Sequence, residues 1–513
     1  MDIVNYLKEH GACLSPQLSK ALENSGCSRT AARKRISRAI QRQEIRRLAG
    51  ITFPKQASFL YHESAFNTSK FWDVLIKSID ESNPTYAAAI HSLAAHGGMI
   101  KSRYFPIISG SPILQSKHIS SDSVLEKLKN IEIIQKVNHE GAGEYIAFNT
   151  SVNFRHVSLS EIKAKELAEN ILITAIRDWA RKLNMVSYDS VKCRDDDMEL
   201  PRGGTFHWDI CGPSYLRPFQ KVKDGKLTAG FFVCDVAVDS ILDEKSVQAF
   251  IRKCQLTSYL RNMPPFLFCL VAKGYTKEAL YHAKSEGILA CTTENLLGKD
   301  ISEGLSTLLS TITRLGEMAA HRPDVINELF SKLGGIEGAA KNMRGSLFEL
   351  LVGHCVKKLD DGSIDIGKYV RDLEVGKDYE IDVFRVKENR EVWVYECKAH
   401  QPTERVKLED VEYWCTQRVA PIFKILSREE RFRECDFKFE YWTCGTFEDD
   451  AQQYLENMAK NTKRYSIGFK DGSSVRKYIK EIRPKSVLET FDEHFYKHPT
   501  TKIEKKFKPP LTT

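Results

Sequence analysis

Four side chains between residues 344 and 400 are of types that can hydrolyse a phosphodiester together. Glu349 lies in Arg344-Gly-Ser-Leu-Phe-Glu, Asp382 in Glu380-Ile-Asp-Val, and Glu396 and Lys398 in Tyr395-Glu-Cys-Lys. Val392–Lys398 alternates like a strand, so Glu396 and Lys398 share one face while Tyr395 and Cys397 share the other. Asp378–Phe384 alternates likewise, and Asn389-Arg390 between the two segments reads as the turn of a hairpin. Asp382 can then face the same side as Glu396. Clustered carboxylates repel and raise each other's pKa. A hard divalent cation, Mg²⁺ or Mn²⁺, removes that cost, prefers oxygen ligands, polarises a phosphoryl oxygen and activates a water. Lys398 can orient or deprotonate that water, or steady charge developing on phosphorus.

Other elements must position these groups. Leu347, Leu350 and Leu351 have helical spacing with Glu349 off their face, which places Glu349 at a helix end with a metal-bound water or a second metal in reach. Leu408–Arg418 reads as a helix able to offer Gln417 or Arg418. Phe437–Cys444 reads as a further strand. His400, just past the Glu-x-Lys strand, reads as a surface histidine. Cys397 itself reads as a buried hydrophobe rather than a thiolate ligand.

Taken in order, Gly-x-x-x-Glu, Glu-Ile-Asp-Val and aromatic-Glu-Cys-Lys resemble the catalytic core of the PD-(D/E)XK nuclease superfamily over roughly 330–445. The resemblance implies a restriction-endonuclease-like α/β core with Glu349, Asp382, Glu396 and Lys398 as catalytic residues. It also implies a metal held by Asp382, Glu396 and the backbone carbonyl of Cys397. Glu-x-Lys alone is a weak signal, and the full order is far more specific. The middle of the chain alternates strands and helices, which implies an α/β layer structure. Its order resembles the Mrr-type branch of the same fold. Asp209 stands at the first acid, but the next motif strand reads Cys234-Asp-Val-Ala237, with no lysine two residues after the acid. A degenerate copy, a generic α/β packing domain or an active second site is expected there, the first two foremost.

The N-terminal third reads differently. Residues 2–9, Ser15-Pro16 through Leu22, and Ser28 to about Gln41 predict three short helices. Segments 44–53 and 57–61 predict two strands around Pro54-Lys55. That order resembles a winged helix-turn-helix. Its third helix carries Arg29, Arg33, Lys34, Arg35, Arg38 and Arg42, with Ala31, Ala32, Ile36, Ala39 and Ile40 as the buried face. Such charge suits a DNA groove and backbone; the plain alternative is a solvated helix face or a protein partner. Residues 70–80, 84–96 and Ser121–Asn130 predict helices leading into strands Ile131–Val137 and Glu144–Phe148 around Gly141-Ala-Gly. This is a second winged helix without the basic face, or a packing module.

The expected architecture is therefore multidomain, α/β plus α+β. It comprises a winged helix at 1–66, a second such module at 67–155, an α/β domain at 156–325, the nuclease domain at 326–462 and a basic tail at 463–513. Charge follows the same plan. The 513 residues carry a net +8, with +6 in 1–66 and +7 in 463–513, so the rest sums to −5. Basic ends point to a polyanion partner, DNA first. The tail lysines and arginines (Lys463, Arg464, Arg476, Lys477, Lys480, Arg483, Lys485, Lys505, Lys506) can track a phosphate backbone or form a solvated surface.

Composition also excludes. No run of about 18 apolar residues exists, so no membrane span is expected. The N-terminus lacks a signal-peptide pattern, and the 13 cysteines form no Cys-x-x-Cys pair, as expected of reduced thiols in a cytoplasmic protein. No phosphate-binding Gly-x-x-x-x-Gly-Lys-Ser/Thr loop is present; Gly298-Lys299-Asp300 is the nearest approach. Nucleotide-driven work would need a separate ATPase partner, and cutting both strands favours a homodimer. The expected function is a metal-dependent DNA nuclease of restriction or phage-defence type. The alternatives are a DNA-binding regulator on a non-catalytic nuclease scaffold and an RNA-directed nuclease.

Overall fold

A computed structural model describes residues 1–496 apart from 52, 140–142, 155–158, 197–198, 224–225, 261–262, 314–323, 337–338, 360–361, 388–389, 401–403 and 483–484. The chain is mixed α/β and forms two compact units. Unit 1 comprises Met1–Asn138, Glu144–Ile162 and Ala175–Lys299; unit 2 comprises His139–Gly143, Lys163–Thr174 and Asp300–Thr513.

Unit 1 begins with α1 (Ile3–His10), β1 (Cys13–Leu14), α2 (Ser15–Asn24), α3 (Arg29–Gln41), β2 (Arg46–Arg47) and β3 (Phe59–Tyr61), with strands in the order β1-β3-β2. Pro16 sits in the first turn of α2, where its missing N–H costs nothing. The Ser28 hydroxyl accepts the Ala31 N–H at 3.3 Å and starts α3. Leu7, Leu18, Leu22, Ala32, Ile36, Ala39 and Leu60 close the core beneath these helices. Two details differ from expectation. Ala31 is exposed, because α3 packs on a narrower stripe. The strand expected over 44–53 is only two residues long, since Gly50 and the Pro54–Gln56 turn take the chain out of the sheet.

The same order recurs next. It runs through α4 (Ser69–Ser82), α5 (Pro84–Ala95), β4 (Met99–Lys101), α6 (Phe105–Ile108), α7 (Ser121–Asn130), β5 (Ile134–His139) and β6 (Gly143–Phe148), with strand order β4-β6-β5. From α5 onward the sequence of helices and strands matches the first module. The expected Gly141-Ala142 turn lies outside the described residues. After α8 (Leu159–Lys182) come β7 (Lys192–Cys193), β8 (Ile210–Ser214), β9 (Gly230–Leu242), α9 (Gln248–Ser258), β10 (Phe266–Tyr275), α10 (Lys277–Ser285) and β11 (Leu289–Thr292). They form one sheet, β7-β8-β9-β10-β11, antiparallel up to β9 and parallel beyond it. Asp209, expected on a strand, stands one residue before β8.

Unit 2 is built on α11 (Ala339–Leu359), β12 (Ser363–Asp372), β13 (Lys377–Lys387), β14 (Glu391–Lys398), α12 (Leu408–Tyr413), a π-helical turn (Trp414–Val419), α13 (Ala420–Leu426), β15 (Asp436–Thr443), α14 (Asp449–Asn461), β16 (Ser466–Lys470) and α15 (Gly472–Ile482). The sheet order is β12-β13-β14-β15-β16, again antiparallel and then parallel. Val383, Val392, Phe439 and Trp442 are within about 1% of full burial, so β13 to β15 are central strands. The expected boundary at 462 is corrected. Strand β16 completes the sheet, and Val475, Ile479, Val487, Phe491 and Phe495 are all fully buried beyond it. Interleaved apolar positions hide among the basic residues that suggested a free tail. Arg476 is likewise committed, binding Asp492 through two nitrogens at 2.6 and 2.7 Å. Lys505 and Lys506 lie outside the described residues.

Candidate active site and nucleic-acid interface

The β13–β14 ladder pairs Val383 with Tyr395, and the next positions along the same register are Asp382 and Glu396. The Cys397 amide donates to Asp382 Oδ2 at 2.7 Å, tying the two acid-bearing strands at that point. On the other side of β13 the ladder to β12 runs from Ile366–Val383 to Lys368–Ile381, stepping over Gly367, whose φ is +66°. A side chain at Gly367 would strain that left-handed conformation. The irregularity falls beside Asp382.

Glu396 is held from two directions. Lys398 Nζ lies 2.6 Å from Oε1 and Arg418 Nε lies 3.2 Å from Oε2. Arg418 also donates to the Glu380 carbonyl. It reaches the site because the π-helical turn inserts one extra residue into the helix that follows β14. The buried Trp414, edge-on to Tyr441 with ring centroids 5.3 Å apart, anchors that turn. Of the two candidates on this helix, Arg418 joins the site and Gln417 is exposed.

Glu349 sits in the middle of α11, not at a helix end as the apolar spacing suggested. One turn later, a side chain on Gly353 would meet Ile366 Cδ1 at 2.5 Å, so this face of α11 lies hard against β12. Glu380 shares the Asp382 face of β13 and pairs with Lys163, a contact no local motif signals. The site therefore gathers Glu349, Glu380, Asp382 and Glu396 with Lys163, Lys398 and Arg418.

The charges are unevenly matched. Glu380 and Glu396 have cations at ion-pair distance. Asp382, only 8% exposed, has among the described residues no lysine or arginine at that distance. Burial, and then repulsion from Glu396, push its pKa from 3.8 up to about 7, against the opposing pull of Lys398 and the Cys397 amide. Burial, then Asp382 and Glu380, raise the Glu349 carboxyl well above its ordinary range. Burial works against the Lys398 ammonium, but Glu396 and Asp382 outweigh it and hold its pKa above the ordinary lysine value. In this arrangement Lys398 is a fixed cation and not the proton acceptor that one expectation allowed. The Cys397 thiol is buried and its pKa is pushed up by burial and the surrounding acids, so it is no thiolate ligand. His400 is half-buried, not on the open surface, and Arg344 donates to its carbonyl at 3.0 Å.

Among the described residues no three His, Cys, Asp or Glu side chains already converge as a metal cage. A hard cation held by two carboxylates and a peptide oxygen does not require one. The uncompensated Asp382 beside Glu396 is a donor set that would suit such an ion.

In unit 1, Arg29, Arg33, Lys34, Arg35, Arg38 and Arg42 are all exposed on α3 or at its end. They are not equally available. Arg35 donates to Met1 O at 2.9 Å and to Cys27 Sγ at 3.2 Å, and Arg42 lies 3.8 Å from Glu44. Arg29, Arg33, Lys34 and Arg38 have no carboxylate at ion-pair distance among the described residues.

No family model matches the chain, and no curated protein matches it. Among solved structures, the restriction endonuclease FokI aligns over 94% of this chain and 83% of its own, at 12% identity and a TM-score of 0.19. A likeness that slight bears on neither fold nor activity. No described helix is long and apolar enough to cross a membrane.

Proposed function

We propose that this chain is a metal-dependent nuclease that hydrolyses phosphodiester bonds in DNA. The observation that carries the reading is Asp382: a buried acid with no cation at ion-pair distance among the described residues, beside a Glu396–Lys398 pair on the adjoining strand. Burying an uncompensated charge costs several kcal/mol. A bound Mg²⁺ or Mn²⁺ would remove that cost, polarise the phosphoryl group and supply an activated water.

The chain's own residues do the rest. Asp382, Glu396 and the Cys397 carbonyl hold the ion. Lys398, held as a cation by Glu396, would stabilise negative charge developing on the phosphoryl oxygens. Glu349, whose pKa is raised by burial and the neighbouring acids, can position a water or give a proton to the leaving oxygen. Arg418, with Nε 3.2 Å from Glu396 Oε2, offsets the charge on that oxygen.

The module at 1–66 is read as a winged helix that holds the duplex through Arg29, Arg33, Lys34 and Arg38. Arg35 and Arg42 contribute less because they already have partners. The restriction or phage-defence setting is proposed by analogy with the family resembled, a homodimer from the need to cut both strands, and a cytoplasmic location from the scattered, unpaired cysteines. The reading is tested by incubating the purified chain with duplex DNA, single-stranded DNA and RNA, each with Mg²⁺, Mn²⁺ or EDTA. Metal-dependent cleavage of DNA is expected. Cleavage of RNA alone would redirect the substrate, and binding of DNA without cleavage of any substrate would favour a regulator on an inactive scaffold.

A further inference from the structure

The sheet of unit 1 repeats the frame of the unit 2 site. Both have five strands joined by two antiparallel and then two parallel steps. In unit 1 the ladder pairs Ile210 with Cys234; in unit 2 it pairs Val383 with Tyr395. Aligning these pairs places Asp209 on Asp382, Asp235 on Glu396, Val236 on Cys397 and Ala237 on Lys398. The tie between strands is also repeated. The Val236 amide donates to Asp209 Oδ2 at 2.9 Å, as the Cys397 amide does to Asp382 Oδ2 at 2.7 Å. In each unit the helix after the second acid strand returns a basic residue to that acid, Lys253 to Asp235 and Arg418 to Glu396.

The two copies differ in how the first acid is neutralised. Arg194 Nη1 lies 3.2 Å from Asp209 Oδ1, with both side chains at most 3% exposed. Lys253 is fully buried. It pairs with Asp235, donates to the Ile107 carbonyl at 2.9 Å and lies 4.0 Å over the Trp208 ring. Both acids of unit 1 thus have a cation from the chain, whereas Asp382 has none at ion-pair distance among the described residues. A cavity of about 30 Å³ lies against Asp209, Asp235 and Val236, room for about one or two waters.

We infer that Asp209 and Asp235 form a second copy of the acid site that carries its cations within the chain, with Arg194 and Lys253 standing in for a divalent ion. Two buried carboxylates with two buried cations are already neutral. Adding a divalent ion would leave a buried double positive charge, which the interior does not tolerate. Any divalent ion the chain binds at these two sheets is therefore in unit 2, and a cut in each strand of a duplex needs two turnovers or two chains. The comparison with unit 2 rests on the function proposed above.

The test is Mn²⁺ stoichiometry of the full chain, read by electron paramagnetic resonance of free Mn²⁺. Wild type is expected to bind one ion and Asp382→Asn none. Asp209→Asn keeps the shape of its side chain and should leave the count at one. Removing the internal cations with Arg194→Ala/Lys253→Ala exposes two carboxylates beside the cavity and should raise the count from one to two. Two ions in wild type, a count lowered by Asp209→Asn, or a folded double variant that still binds one would each overturn the inference. If wild type binds none, the proposed function fails instead. The inference is then judged by whether the double variant gains an ion.

Discussion

Replacing Asp382 with asparagine should make the metal-free protein more stable while abolishing its activity, and the gain should grow with pH. The carboxyl's pKa is 3.8 in the unfolded chain and about 7 in the folded one. A raised acid pKa means the folded state holds the proton more tightly, so stability falls as pH rises between the two values. At about 1.36 kcal/mol per unit, ionised Asp382 costs the fold about 4 kcal/mol at pH 8. At pH 5 the folded carboxyl keeps its proton while the unfolded one has lost it, and the disadvantage is only about 1–2 kcal/mol. The asparagine side chain carries no charge at either pH. For a domain of this size each kcal/mol moves the melting temperature by about 2–4 °C. Thermal melts of wild type and Asp382→Asn in EDTA should therefore differ by about 8–15 °C at pH 8 and about 3–6 °C at pH 5, the variant melting higher. Saturating Mn²⁺ should narrow the gap at pH 8, because an ion at 100-fold above its Kd stabilises wild type by about 2.7 kcal/mol. An Asp382→Asn advantage that does not grow with pH would refute the claim that this acid is buried without a counter-ion.

Other perturbations follow from the same geometry. Lys398→Met should lower the cleavage rate at least about 100-fold and leave Mn²⁺ stoichiometry unchanged, since Lys398 is read as stabilising charge on the reacting group and is not itself a ligand. Arg33→Ala/Lys34→Ala/Arg38→Ala should weaken duplex binding and reduce the slope of log affinity against log salt by about 2–3, measured by fluorescence anisotropy. Phe439→Ala, a fully buried ring on central strand β15, should cost about 3–5 kcal/mol in denaturant unfolding, lost from unit 2.

The local chemistry is legible in the sequence because it rides on short periods. Alternation about Glu396 and Lys398 predicts their shared face, and the 2.6 Å ion pair realises it. Ser28 and Pro16 mark helix starts through side-chain properties that do not depend on distant contacts. What stays hidden depends on tertiary approach. Lys163 meets Glu380 across 217 residues, and Arg418 reaches Glu396 only because a π-helical turn shifts the helix face. Strand β12 gives no clear signal because Gly367 breaks its alternation beside the site. The basic residues after 462 mask an apolar stripe that completes the sheet. In the middle of the chain the missing lysine at Ala237 is visible, but its replacement by Lys253 on a helix and Arg194 near β7 is not. Neither spacing has a local signature.

The central claim is that Asp382, Glu396 and Lys398 form one metal-dependent cutting site. It is tested most directly by nicking of a supercoiled plasmid, compared among wild type, Asp382→Asn and Asp209→Asn at saturating Mg²⁺ and in EDTA. Mg²⁺-dependent relaxation is expected from wild type and Asp209→Asn, and none from Asp382→Asn or from any of the three in EDTA. Cleavage that survives Asp382→Asn, or that proceeds in EDTA, would contradict it.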